Sequence, residues 1–281
     1  MSSLRNRSDT QRAESLAYLA TALYSKLPDE ELPEPLPVIL EKVQPLIVDG
    51  SSAVRNNVLK VLKALPQDEL ARQPSSVLLY THVGMTHLSA DVRAFSMEVL
   101  EWLTQAIGRE IVTCAGGWMK TLKPFIRLLG WHSQLAGPKG WSMYQQSGVR
   151  PGSETKAMIK QMNVLANFVR AGIAPPVSSD LEEAESVMTS TFPYTDTPQH
   201  LLPQRSNAFA HLYLFGPPPD EESGMYQDRE ERQRVFNMRF LELIQQGTEQ
   251  AKKEGGEIGR AAAAIHKAVE EGMKDYIHEE T

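Results

Sequence analysis

A single cysteine, Cys114, stands in 281 residues. It cannot close an internal disulfide, and alone it cannot supply a thiolate metal site. A reducing compartment, cytosol or nucleus, is expected. Long apolar runs are missing as well: no stretch of about 18 apolar residues occurs, so no membrane helix is expected. The opening MSSLRNRSDTQ is polar, with no apolar segment behind it to form a signal-peptide core. Aromatics are only 7%, and no Asn-Gly or Asp-Gly turn lies between alternating runs, so strand signals are weak. Positive charge is in deficit: 29 Lys and Arg face 35 Asp and Glu, a net of −6. That balance disfavours a body that grips phosphate by itself. The deficit lies entirely in residues 131–281, because 1–130 carry equal numbers of each sign.

Catalytic motifs are also lacking. There is no G-x-x-x-x-G-K-[ST] phosphate loop and no G-x-S-x-G nucleophile elbow. His82 and His87 are five apart and fall on different helix faces, whereas a zinc helix needs four and a glutamate between. Ala115–Gly116–Gly117 leads into a helix but reads as a turn. Nothing around Cys114 and His132 marks a thiol-protease pair, and a buried structural cysteine is expected. No catalytic residue, metal ligand or cofactor site is assigned, and no enzyme is expected.

Hydrophobic residues at 41% are enough for a core. Their arrangement is helical. Ser51–Leu65 (SSAVRNNVLKVLKAL) aligns at an offset of 38 residues with Ser89–Leu103 (SADVRAFSMEVLEWL). Val54 matches Val92, Arg55 matches Arg93, and Val61, Leu62 and Leu65 match Val99, Leu100 and Leu103. The apolar positions 54, 58, 61, 62, 65 and 92, 96 (a serine), 99, 100, 103 form one helical stripe each. The structural core is expected at Val54, Leu62, Leu65, Val92, Leu100 and Leu103. Each segment opens on a serine whose oxygen suits an N-cap bond. Arg55 and Arg93 are expected to reach a carboxylate or carbonyl of a neighbouring repeat.

Helical segments precede each copy, at Leu36–Val48 and Ser75–Leu88, so the unit is a helix pair near the period of HEAT-type repeats. Further helices are expected at Ser8–Leu27, Trp118–Trp131, Glu154–Ile173, Tyr226–Gln246 and after Gly255–Gly256. Pro124 kinks its helix unless it falls in the first turn. Lys120, Lys123 and Arg127 share that helix and read as a solvated face, with phosphate contact as the rarer alternative. The expected fold is all-α: a HEAT/armadillo-like helical repeat solenoid with long irregular loops in the second half. Residues 1–281 form a single helical-repeat domain, divided into regular helix pairs (8–131), a helix with long loops (132–220) and C-terminal helices (221–281).

Trp141, Tyr144, Phe209, Tyr213 and Phe215 lie in Gly- and Pro-rich stretches. They either anchor those loops to the body or contact partners. The last helix carries a narrow stripe that includes Ile258, Ile265, Val269 and Tyr276. It docks on the body or on another chain, and both readings stay open. If the chain is a scaffold, these residues are its expected partner contacts, and truncation after Gly255 is expected to leave the solenoid folded.

Several stretches carry a resemblance. LLYTHVGMTHLSADVRAFSMEVLEWL (78–103) and GGWMKTLKPFIRLLGW (116–131), with RSDTQRAESLAYL (7–19) and SSAVRNNVLKVLKALP (51–66), resemble a pre-rRNA-processing family. Its name abbreviates "involved in processing of internal transcribed spacer two", subunit one, and testis-expressed protein ten is related. The match covers roughly residues 7–131, with MTHLSADVR and GGWMKTLKPF the most specific parts. The resemblance implies a helical-repeat scaffold without carried-over catalytic residues. It implies a nuclear complex acting on precursors of the large ribosomal subunit, with direct RNA contact left open. The implied partners are a WD-repeat propeller subunit, a second helical-repeat subunit and, indirectly, a dynein-like AAA ATPase. Family members usually carry a lysine-rich N-terminal extension, and nuclear import or RNA contact through such a segment is left open. The competing class is a HEAT or armadillo adaptor in transport or signalling, although no asparagine repeats at a fixed spacing.

Overall fold

The computed structural model describes residues 8–25, 32, 34–131, 153–175 and 221–276. All regular structure among them is helical. The helices are α1 (Asp9–Tyr24), α2 (Leu36–Val43, continued by a 3-10 turn Gln44–Val48), α3 (Ser52–Ala64), α4 (Gln67–Ala71), α5 (Pro74–Met85), α6 (Ala90–Thr113), α7 (Met119–Leu128) and α8 (Ser153–Ile173). After 221 come α9 (Arg229–Phe236), α10 (Glu242–Glu254) and α11 (Gly256–Met273). A π-helical turn, Asn237–Leu241, joins α9 to α10.

The helices form two rows. α1, α3, α6, α8 and α11 pack side by side in that order. The 3-10 turn, α5 and α7 touch in succession and lie against α3, α6 and α8 respectively. One hydrophobic core runs through both rows from Leu16 to Val269. The repeat stripes supply its first half: Val54, Val58, Val61, Leu62, Leu65, Val99, Leu100 and Leu103 are all buried, and Val92 is buried as well. Ser96, the odd residue in the second stripe, is fully buried and returns its hydroxyl to the Val92 carbonyl at 2.8 Å. A Cβ on Gly84 would sit 1.9 Å from that hydroxyl. The close approach of α5 to α6 explains why the stripe is small at this point.

The structure departs from, or completes, the sequence expectations at four points. Ser51 and Ser89 occupy N-cap positions, but neither hydroxyl makes a cap bond; side chains two residues earlier hold the turns instead, as shown below. α6 runs ten residues past Leu103 and bends at Ile107, whose φ of −140° and ψ of 46° are not helical. Pro124 falls inside α7 rather than in its first turn, where its ring forfeits one ladder bond. The short α4 was not foreseen, because five residues are too few to show a periodicity.

Two tryptophans organise the second half. Trp118 is fully buried, stacks on Phe168 of α8 at 5.4 Å, lies 6.0 Å from Phe236 of α9, and donates its indole N–H to the Arg232 carbonyl at 3.2 Å. A Cβ on Gly172 of α8 would stand 2.2 Å from its ring, so only glycine admits that packing. Trp131 rests likewise on Gly247 of α10. It closes α7 through a Schellman turn: Gly130 takes φ +70°, its N–H donates to the Arg127 carbonyl, and the Trp131 N–H donates to the Ile126 carbonyl at 2.9 Å. The GGW and LLGW stretches thus seat α7 between α8 and the C-terminal helices.

Candidate interaction surface

The loops between helices are held by a recurring arginine. Arg55 donates to the carbonyls of Asp49 and Gly50, at 2.7 and 3.0 Å. Arg93 donates to those of His87 and Leu88, at 2.8 and 2.7 Å. Arg232 donates to those of Tyr226 and Gln227, at 2.7 and 2.6 Å. Each arginine lies four residues after its N-cap, its own N–H bonds the N-cap carbonyl at 3.1 Å, and its side chain folds back six and five residues. A guanidinium suits this task because it offers several donors in a fixed fork. Arg55 and Arg93 therefore clasp the turn of their own helix pair, not a neighbouring repeat as expected. Arg12 does make the longer reach, to the Asp49 carboxylate at 3.0 Å.

The first two turns share a second bond. Asp49 Oδ1 accepts the Ser51 N–H at 2.8 Å, and His87 Nδ1 accepts the Ser89 N–H at 3.1 Å. The 38-residue offset holds bond for bond, with an imidazole nitrogen in the second turn where the first has a carboxylate oxygen. At the apex, however, Gly50 in the first turn is replaced by Leu88 in the second, and Leu88 is 90% exposed.

Two further apolar side chains are exposed on the preceding helix. Leu79 and Val83, four apart on α5, are 59% and 47% exposed. α7 is linked to α5 by the hydrogen bond between His82 Nε2 and Thr121 Oγ1 at 2.8 Å. Burial, reinforced by the charge of Lys120, pushes the His82 pKa down to about 4, so the ring is neutral and belongs to the packing. Along α7, Lys123 pairs with Glu222, Lys120 reaches Ser223, and Arg127 is exposed. Sequence reading passed over Leu79 and Val83. Apolar residues surround α5 on all sides, so no stripe separates its outer face from its core face.

The C-terminal stripe is placed differently from expectation. Ile265 and Val269 are buried between α11, α8 and α10, and are core rather than partner contacts. Ile258 is half-buried against the same core, and Tyr276 is half-buried just past α11. The first turn of α9 fastens this arrangement. Arg229 donates to the Ile173 carbonyl at 2.9 Å and forms a two-pronged pair with Asp275, at 2.5 and 2.8 Å. Arg232 also bonds the Gly172 carbonyl at 2.7 Å, and Gln233 bonds that of Gly272 at 2.6 Å. The unpaired carbonyls at the C-termini of α8 and α11 are thereby satisfied by cationic or amide donors. Trp141, Tyr144, Phe209, Tyr213 and Phe215 lie outside the described residues.

Cys114 is buried, donates to the Ile111 carbonyl at 3.3 Å, and has its thiol pushed up to about 12 by burial. It is poorly placed for nucleophilic chemistry. Among the described residues, no three His, Cys, Asp or Glu side chains gather as a metal site would require. No helix among them is long and apolar enough to cross a membrane.

Residues 68–169 match a family model described as a Rix1 complex component involved in 60S ribosome maturation. The pre-rRNA-processing protein ipi1 of Aspergillus fumigatus is 45% identical over 278 residues, covering 97% of this chain and 80% of that protein. The corresponding protein of Chaetomium thermophilum is 41% identical, covering 95% and 77%. Among solved structures, a chain of a Rix1-Rea1 pre-60S particle aligns with a TM-score of 0.46 and 18% identity, over 67% of each chain.

Proposed function

This chain belongs to the Ipi1 family of pre-rRNA-processing proteins, and on that premise we propose that it is a non-catalytic scaffold subunit in maturation of the large ribosomal subunit. The observation that carries the reading is identity of 45% along nearly the whole chain to a protein named for pre-rRNA processing. The matched family model is described in terms of the Rix1 complex and 60S maturation, which supports the same assignment. Its finer content is removal of the second internal transcribed spacer in the nucleus. The partners would be a WD-repeat propeller, a second helical-repeat subunit and, indirectly, a dynein-like AAA ATPase.

The architecture suits a scaffold. Two rows of helices joined by clasped turns support a HEAT-like solenoid, in which neighbouring units share one core and the sides remain for binding. The charged side chains of α11, with Lys267–Glu271 and Arg260–Glu257 pairs, give the last helix the polar outer face of a capping element. The buried state of Cys114 and His82 favours a structural role for both over a catalytic one.

Native affinity purification tests the reading. Co-recovery of large-subunit precursors and a propeller subunit is expected, and depletion of the protein should accumulate precursor RNA that retains the second spacer. Purification that recovers neither precursor nor propeller would overturn it.

A further inference from the structure

The segment that precedes α9 lies along α7 residue by residue. The Gly116 N–H donates to the Gly224 carbonyl at 3.1 Å, Lys120 donates to the Ser223 hydroxyl, and Lys123 pairs with Glu222. The Lys120 N–H bonds the Gly116 carbonyl at 3.2 Å, one helical turn back, and Lys123 follows on the same face. Residues 224, 223 and 222 therefore meet positions 116, 120 and 123 in reverse order. Arg127, the next position in that row, is exposed. The row offers donors only: a backbone N–H, two ammonium groups and a guanidinium. From this register we infer that the α7 row is a docking seat for a short acidic segment of a partner protein, and that residues 222–224 occupy it in cis until displaced.

The resident segment is anchored at one end and lightly held along the rest. Tyr226 is buried, and its hydroxyl lies 3.0 Å from the Met119 sulfur. Arg232 holds the carbonyls of Tyr226 and Gln227. From residue 222 to 225 no side chain is buried: Glu222 and Ser223 are half-buried, and Met225 is 49% exposed. The Lys123–Glu222 pair leaves 36% and 45% of its side chains in water, and an ion pair so exposed adds little to stability. Residues 222–225 can therefore leave the seat while Tyr226 keeps the start of α9 in place. The tether makes them a competitor at roughly millimolar effective concentration. A replacement must be more complementary. A partner segment with a further carboxylate at Arg127 would engage one turn more of α7 than residues 222–224 do.

The occupant on view sets the chemistry of its replacement. It is a peptide, bonded through its backbone at Gly224 and through a carboxylate at Glu222. Nucleic acid could use the same cations, but bases stack on aromatic faces. The aromatic side chains of this region, Trp118, Phe125 and Tyr226, are buried and offer no such platform. The inference deepens the scaffold reading and rests on it for its setting; the binding test below can fail while co-purification with precursors succeeds.

The test is fluorescence anisotropy with the full chain and three labelled probes. These are a short peptide of alternating Glu and Gly, its Lys and Gly counterpart, and a single-stranded oligouridine. Glu222→Ala with Ser223→Ala weakens the cis competitor, so this double variant should bind the glutamate peptide about tenfold or more tightly than the parent. Glu257→Ala, an equal charge change on α11, should leave the parent affinity unchanged. Adding Lys123→Gln and Arg127→Gln to the double variant should abolish the gain of about tenfold. Hydrogen exchange of the Gly116 amide gives a second readout. It should be faster in the double variant than in the parent, and slowed again by the glutamate peptide. Circular dichroism of each variant should match the parent, as the substituted side chains lie at the surface. No gain in the double variant, an equal gain in Glu257→Ala, or a gain that survives loss of Lys123 and Arg127 would each overturn the inference. So would unchanged Gly116 exchange, or preference for the lysine peptide or the oligouridine.

Discussion

Arg232 is buried and donates to three carbonyls, those of Tyr226, Gln227 and Gly172. Replacing it by methionine leaves these acceptors without that donor in a dry site. The expected cost is about 3–5 kcal/mol in urea unfolding. Arg93 makes the equivalent turn bonds at a half-exposed position where water can substitute. Arg93→Met should cost only about 1 kcal/mol, and equal costs would refute the burial argument. His82 offers a pH test. Its folded pKa near 4 lies below the ordinary 6.5, so the fold binds fewer protons than the unfolded chain between those values. Its contribution is full above pH 6.5 and is lost as pH falls toward 4, by about 2–3 kcal/mol. His82→Gln, which can still bond Thr121, should flatten that slope in denaturation curves between pH 4 and 6.5. Asp275, held near 2 by the Arg229 hydrogen bonds, begins to lose its contribution only below its ordinary 3.8, outside this window. At this scale the sequence was legible where a residue recurred in a matching context. Arg55 and Arg93 announced themselves beside a shared valine. Arg232 makes the same clasp but follows Glu231, so no alignment by apolar stripe could find it.

Helix contacts turn on glycines that look incidental in the sequence. Gly172 lies in the last turn of α8, where a methyl group would enter the Trp118 ring. Gly172→Ala should therefore destabilise by about 2 kcal/mol despite the higher helix propensity of alanine. Gly259 in α11 has only ordinary neighbours, the nearest at 3.5 Å. Gly259→Ala should stabilise by about 0.5–1 kcal/mol. Opposite signs for the two substitutions, read by thermal unfolding, test whether the Trp118–α8 contact is as tight as described. The positions of most helices were readable because an amphipathic stripe is a local pattern. The register of one helix on another was not. It depends on pairs such as Gly84 with Ser96, or Gly247 with Trp131, whose members are far apart in sequence. The serine caps show a related limit. Ser51 and Ser89 mark the helix starts correctly, yet the bonds that hold those turns come from Asp49, His87 and the arginines.

On the scale of the molecule, the last helix decides how far the core extends. Its stripe at 258, 262, 265 and 269 was plain in the sequence, but a stripe states only that a helix is covered, not by what. The structure covers it with α8 and α10. Ala261, Ala262, Ile265, Ala268 and Val269 are buried there, and Gly272 meets Ile173 so closely that a Cβ would come within 2.5 Å of its side chain. Arg229 and Gln233 then tie the end of α11 to the start of α9 and the end of α8. Removing residues 256–281 would uncover the facing apolar side chains of α8, take away the Gly272 and Asp275 acceptors of Gln233, and leave Arg229 only its bond to the Ile173 carbonyl. The truncated chain should lose about 10 °C or more in Tm. In a linear array each helix pair leans on its neighbours, so the damage should fall off with distance. Hydrogen exchange should show α8 and α10 losing protection while α1 and α3, which pack on each other at the opposite end, keep most of theirs. An unchanged Tm with full protection of α8 would mean that α11 is not part of the core, and would restore its stripe as a surface for another chain.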